Sequence, residues 1–194
     1  GDRYCCMDKI VMWLKIAVSC LPAMLIGLPL NDWLDKHFYN PTVVALMLLL
    51  YGAGFLFVER YNRSRKPRVN SIAALRWSDA LLIGVFQVLA LIPGTSRSGA
   101  TILGGILIGT SREVAAEYTF FLAVPVMFGA SLLKIVKFGA ISGTELGVLL
   151  VGMAVAFGVS ILAIRFLMGY IRKHDFTAFG WYRIGLGLLV LLYF

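Results

Sequence analysis

The sequence predicts an all-α protein, a polytopic transmembrane helical protein with one re-entrant helix hairpin. Three observations predict this class. Hydrophobic residues fill 60% of 194 positions and charged residues only 14%, against about 45–50% and about 25% in soluble domains. Several apolar runs approach the ~20 residues that a helix needs to cross a bilayer, and they lack the polar stripe a soluble helix turns to water. The third observation is the placement of charge. Net charge is +8, and Arg60, Arg63, Arg65, Lys66, Arg68 and Arg76 share one connection between apolar runs. Cytoplasmic loops of membrane proteins concentrate basic residues in this way, so the charge marks topology and excludes a nucleic-acid surface.

The elements follow in order. The first span covers about residues 12–30; Pro22 and Pro29 interrupt it, which membrane helices tolerate where neighbours satisfy the freed backbone. A short polar connection ends at Pro41, which suits the first turn of the next helix. The second span covers about residues 42–57, and the basic loop follows. Next comes a segment of two short arms, residues 79–108, broken at Pro93-Gly94. Three further spans cover about 113–135, 145–167 and 178–194. Ser111 is placed to cap the first of these, and Glu113 and Glu117 lie where a helix dipole favours acids. Gly152-xxx-Ala156 and Ala154-xxx-Gly158 give the next span small residues that let helices pack closely in lipid. The chain forms a single transmembrane domain. Cys5, Cys6 and Cys20 match neither a disulfide framework nor a zinc-site spacing. Residue 1 is glycine and no signal-peptide pattern follows, so a portion ahead of it is expected.

Each arm of the broken segment is too short to cross a hydrocarbon core. Either the two arms form one broken crossing helix, or they dip in and return to the same side. A returning hairpin puts Arg112, Arg165, Arg172, Lys173 and Arg183 on the side of the basic loop, with Lys134 and Lys137 opposite. A crossing segment reverses those assignments. The positive-inside rule favours the hairpin.

Between the arms stands LIPGTSRSGAT, residues 91–101. Gly94 and Gly99 permit backbone shapes that other residues resist, and a glycine-flanked turn can aim several N–H groups at one anion. A helix beginning near Ser98 adds its free N–H groups and positive dipole end. Thr95, Ser96, Ser98 and Thr101 add hydroxyls. Arg97 supplies a planar, permanently charged fork suited to phosphate oxygens. Together these point to an oxyanion, phosphate or diphosphate above all. Arg97 could instead snorkel to the surface or pair with an acid such as Asp79 or Glu117. An intramembrane arginine is nonetheless a functional-site hypothesis by default. GTSRSG does not match the G-x-S-x-G nucleophile elbow. His37 and His174 both lie in short connections, so a Ser–His hydrolase is disfavoured. P-loop and HExxH motifs are missing.

QVLALIPGTSRSGAT, followed by EYTFFLAVPVMFGA, resembles the second signature and next helix of the undecaprenyl-diphosphate phosphatase (bacitracin-resistance) family. The resemblance runs, more loosely, along nearly the whole chain. It implies an integral membrane phosphatase that converts undecaprenyl diphosphate to undecaprenyl phosphate and inorganic phosphate, recycling the lipid carrier of peptidoglycan synthesis, with a divalent cation, Mg2+ or Ca2+. It implies a fold of two inverted repeats, each with a re-entrant hairpin, of which this chain carries the second half. Arg97 and Ser96 would be the catalytic pair, with Arg97 holding the diphosphate. Gly94, Thr95, Ser98, Gly99 and Thr101 would line the phosphate site, and Gln87 would support it. The metal ligands are unassigned, because the family's first-repeat ExxxE and PxSSxGH motifs do not occur here. The expected setting is the bacterial plasma (inner) membrane with the site toward the outer face. The expected partners are the polyprenyl diphosphate and membrane lipids, no nucleic acid, and a homodimer as the assembly to consider. The competing reading is a transporter or flippase for an anionic lipid or solute, since broken helices also build transporters. A weaker one is a structural subunit whose arginine pairs a buried acid.

Overall fold

Leucine, valine and alanine runs drive seven α-helices, seen in a computed structural model that describes residues 2–138 and 143–194. The side chains of Cys5, Cys6 and Lys137, weighed above, lie outside the described residues. The helices are α1 (Asp2–Phe38), α2 (Pro41–Asn62), α3 (Trp77–Val88), α4 (Arg97–Ile108), α5 (Arg112–Phe138), α6 (Gly143–Ile171) and α7 (Thr177–Tyr193). Helices α1, α2, α5 and α6 are long and apolar enough to cross a membrane. This is the pattern of a multi-pass membrane protein.

Two boundaries differ from the sequence reading for physical reasons. Helix α1 runs unbroken through Pro22 and Pro29, because in apolar surroundings a helix keeps its other backbone bonds when one donor is lost. Helix α2 continues past residue 57 to Asn62 because its late charge is satisfied. Glu59 is buried, yet it accepts bonds from Arg112 Nε and Nη2 and from the backbone N–H of Phe176. Ser111 is a cap the sequence marks, and Asn40 is one the structure adds. Asn40 accepts from Val43 N–H at 2.9 Å ahead of Pro41, and Ser111 accepts from Val114 N–H at 3.2 Å.

Helices α3 and α4 form an antiparallel hairpin whose ends meet. Arg68 N–H donates to Gly109 O at 2.8 Å, and Ser111 N–H donates to Val69 O at 2.9 Å. The chain therefore leaves and re-enters the basic connection at one place. Asp79 sits buried at the start of α3, paired to Arg68 at 2.6 Å and accepting from Arg76 N–H. A Cβ on Gly104 would overlap the Phe86 ring, which shows how closely the two arms pack. The hairpin lies between two apolar clusters. Ile16, Ile83 and Tyr118 knit it to α1 and α5; Phe55, Leu103 and Phe176 knit it to α2 and α7. Gly84 admits the Ser19 backbone, and Gly52 faces Gly180, the close approaches that lipid-embedded helices use.

Helix α6 is the exception. Its apolar 18-residue core is wholly exposed within the chain, a surface that is stable only against hydrocarbon or another apolar body. The small residues of its expected packing motif meet nothing: a Cβ on Gly152 or Gly158 would touch no described atom within 4 Å.

Candidate functional site

The tip of the hairpin is built by local rules. Thr95 N–H donates to Ile92 O at 3.1 Å, which closes a turn with Pro93 and Gly94 at its centre. Gly94 has φ +88°, the value a type II turn needs at its third residue. A Cβ there would also lie 2.6 Å from Val44 Cα. The turn is thus pressed against α2 close to its N-terminal end, the end opposite the basic connection. Ser96 then caps α4, accepting from Gly99 N–H at 3.1 Å, and Arg97 is the first residue of that helix.

Two arginines flank this first turn. Arg97 lies near Cys20 of α1. Arg183 reaches in from α7, its Nη2 only 3.3 Å from where a Cβ on Gly99 would stand. Glycine at position 99 makes the room. Arg183 also lies over the Phe55 ring at 5.7 Å, and Tyr51 of α2 neighbours both Arg183 and Thr95. One guanidinium nitrogen of each arginine, Nη1, is buried without a hydrogen-bond partner among the described residues. The Thr95 hydroxyl and both amide atoms of Gln87 share that condition. Buried polar groups are ordinarily paired, and leaving one unpaired costs about 1–3 kcal/mol. Three such residues around one glycine turn, Arg97, Arg183 and Thr95, make a site that an oxyanion would satisfy, with Gln87 on the arm that leads into it.

The expected site residues fall into two groups. Arg97, Thr95 and Gln87 present unsatisfied polar atoms, and Gly94 and Gly99 shape the turn. Ser96 is occupied as the cap, with its hydroxyl also bonded to that of Ser98 at 3.1 Å; Ser98 is otherwise exposed. Thr101 faces inward. Its hydroxyl donates to Arg97 O at 3.0 Å and accepts from Thr119 at 3.0 Å, so in this conformation it braces α4. Of the acid partners considered for Arg97, Asp79 is taken by Arg68, and Arg97 forms no ion pair with Glu117 among the described residues.

Arg183 is the residue that sequence reasoning misassigned. The charge count sets it on the side of the basic loop, but it is half-buried beside Gly99 at the tip. The signal that could have found it was its position inside the apolar run of α7, where an arginine needs a reason. The histidines are elsewhere. His37 bonds Trp33 O and stacks on Trp33, and His174 stacks on Tyr170.

Fold and site together define a polytopic helical membrane protein with a cationic turn held among its spans. The chain belongs to the family described as bacitracin resistance protein BacA, whose sequence model matches residues 3–189. It is 60% identical over 188 residues to an undecaprenyl-diphosphatase of Acetivibrio thermocellus, covering 96% of this chain and 69% of that protein. It is 58% identical over 189 residues to the undecaprenyl-diphosphatase of Desulfitobacterium hafniense, covering 96% and 68%. With undecaprenyl-diphosphatase 1 of Clostridium acetobutylicum it shares 55% over 196 residues, covering 100% and 72%.

Proposed function

We propose that this protein hydrolyses undecaprenyl diphosphate to undecaprenyl phosphate and inorganic phosphate, and that the hairpin tip holds the diphosphate. The observation that carries the site is the pair of arginines, Arg97 and Arg183, each with a buried N–H lacking an acceptor beside a glycine turn. A guanidinium fork matches phosphate oxygens two at a time. In phosphoryl transfer, catalysis rests mainly on positioning and on stabilising charge that develops on the phosphoryl oxygens. Arg97 takes that role, with the N–H groups of the α4 N-terminus beside it. Arg183 supplies the second cation. Ser96 and Ser98 orient the anion from the cap, Thr95 and Gln87 donate from the flanks, and Thr101 contributes through the helix it braces.

The hairpin is re-entrant in this reading. The meeting of residues 68 and 69 with 109–111 supports it; membership of an inverted-repeat pair rests on the family resemblance. The tip lies near the start of α2, opposite the basic connection. By the positive-inside rule that connection is cytoplasmic, which turns the site toward the outer face of the bacterial plasma membrane. A lipid diphosphate suits this depth, because its chain stays in hydrocarbon while its headgroup meets the arginines. The resemblance also implies a divalent cation. Among the described residues no three His, Cys, Asp or Glu side chains cluster to hold one, so these residues do not by themselves form a metal site, and no step here passes through a metal.

The test is phosphate release from undecaprenyl diphosphate by detergent-solubilised protein, beside Arg97→Ala. Release by the wild type and its loss in the variant are expected. Equal release from both would remove Arg97 from the reaction.

A further inference from the structure

A second polar cavity lies at the other end of the molecule. Its volume is about 410 Å³. It opens where α2 ends, α5 begins and α6 ends, on the side of the basic connection. Measured along α2 from Val44, which supports the tip, to Asn62, which lines this cavity, the separation is about 27 Å at 1.5 Å per residue.

Three arginines from three different segments line it: Arg65, Arg112 and Arg172. Each is held in place. Arg65 stacks on the Tyr61 ring at 4.1 Å. Arg112 is bound through Nε and Nη2 to Glu59, and Arg172 is bound through Nε to Glu113. Those contacts use one edge of Arg112 and one nitrogen of Arg172, leaving further N–H donors on both. Three acids lie among or behind them, Glu113 in the lining, Glu59 behind Arg112 and Asp175 near it, so the attraction for an anion rests on these free N–H donors and not on an excess of arginines. The floor adds Thr110, whose buried hydroxyl has no partner among the described residues. Beside it α5 opens with Ser111 as its cap, and the first N–H groups of a helix attract anions. A surface that only marked topology would scatter its charges into solvent. Here three of them border one open groove at the ends of membrane spans, with a buried hydroxyl at its floor.

We infer that this cavity binds a phosphate-bearing anion, presented by an anionic phospholipid headgroup of the leaflet on the basic-loop side. Basic pockets between helix ends are a known way of holding such headgroups. Arg65 and Arg172 are the selecting residues, and Arg112 positions the wall through Glu59.

The experiment uses the whole chain in phosphatidylcholine nanodiscs with and without phosphatidylglycerol. It reads the thermal unfolding midpoint and, by native mass spectrometry, the phosphatidylglycerol retained. Phosphatidylglycerol is expected to raise the midpoint and to be retained. Arg65→Ala combined with Arg172→Gln is expected to cut retention at least about fivefold and to abolish the shift. Arg63→Ala and Arg76→Ala, which remove charge from the same connection but not from the cavity, should retain lipid as the wild type does. A parallel arm adds inorganic phosphate to pure phosphatidylcholine discs. An equal midpoint shift there, lost in the double variant, would confirm the phosphate chemistry and name the free anion as its source. Equal losses in all variants would show a diffuse field and overturn the inference, as would no loss in the double variant.

Discussion

The base and the tip of the hairpin both carry arginines, and the two ends treat them in opposite ways. At the base three acids each hold an arginine: Asp79 with Arg68, Glu59 with Arg112, Glu113 with Arg172. At the tip Arg97 and Arg183 have no carboxylate partner among the described residues, and each keeps a buried N–H without an acceptor there. The same residue type therefore does two jobs. Where an acid lies opposite, the arginine closes the fold. Where none does, the protein bears the cost of an unpaired cation, which the proposed diphosphate would recover.

The largest expected effect separates those jobs. Arg97→Lys keeps the charge but loses the fork, and turnover should fall at least about 100-fold, the scale of losing one preorganised oxyanion donor. The unfolding midpoint should hold or rise, because an unsatisfied buried group becomes more adaptable. Phosphate release per folded molecule and thermal unfolding in detergent check both halves. Turnover near wild type would mean that the tip arginine is another structural cation.

Arg112→Ala should do the reverse. It strands Glu59, whose side chain is 3% exposed, and breaking such a pair costs about 3 kcal/mol or more. The half-exposure of Arg112 places this loss at the lower end. The midpoint should drop by many degrees while turnover of the remaining folded protein stays within about twofold. Glu59→Gln with Arg112→Met should recover much of the midpoint, since replacing both partners removes the stranded charge. A large loss of turnover in well-folded Arg112→Ala would erase the contrast between the two ends.

How far the sequence discloses this contrast depends on the range of the interaction. The tip is local chemistry. The break at Pro93-Gly94 and a helix start near Ser98 are marked within a few residues, and the structure agrees to within one residue, with α4 beginning at Arg97; Ser96 as its cap is what the structure adds. The five long-span boundaries are legible to within a few residues, except where Glu59 extends α2 and where α1 runs beyond its apolar core. Arg183 and the Glu59–Arg112 pair are not legible, because each depends on which helices become neighbours. Nothing in the α7 sequence says that Gly99 leaves a notch for its arginine. The small residues of α6 show the converse: a packing motif is present, and no described residue meets its glycines, Gly152 and Gly158.

Gly94→Ala tests the turn that holds the tip apart from the base. Alanine at φ +88° is strained, and its Cβ would meet the Val44 backbone. The cost should be about 1–3 kcal/mol, felt as a lower midpoint and a larger loss of turnover than of binding, because the N–H groups at the tip lose their aim. Val44→Gly cannot remove a backbone clash, so it should not rescue the variant. Rescue by Val44→Gly in a double-mutant comparison would show that the contact is with a side chain and that α2 does not set the tip's position.

The smallest effect decides on which side of the contrast Thr101 belongs. Its hydroxyl donates within α4 and accepts from Thr119, the paired behaviour of the base, although it lies one turn from Arg97. Thr101→Val keeps the shape and removes both bonds, which should lower stability by about 1 kcal/mol and leave the Thr119 hydroxyl without its acceptor. If Thr101 is a brace, turnover falls only a few-fold, KM is unchanged, and Thr101→Ser restores both stability and rate. If its hydroxyl turns to the phosphate during reaction, Thr101→Val loses turnover far beyond its loss of stability, and Thr119→Val, which cuts the competing bond, leaves the rate intact. The comparison of those two variants assigns the hydroxyl, because stability follows the bond both threonines share while the rate follows only the one that touches the anion.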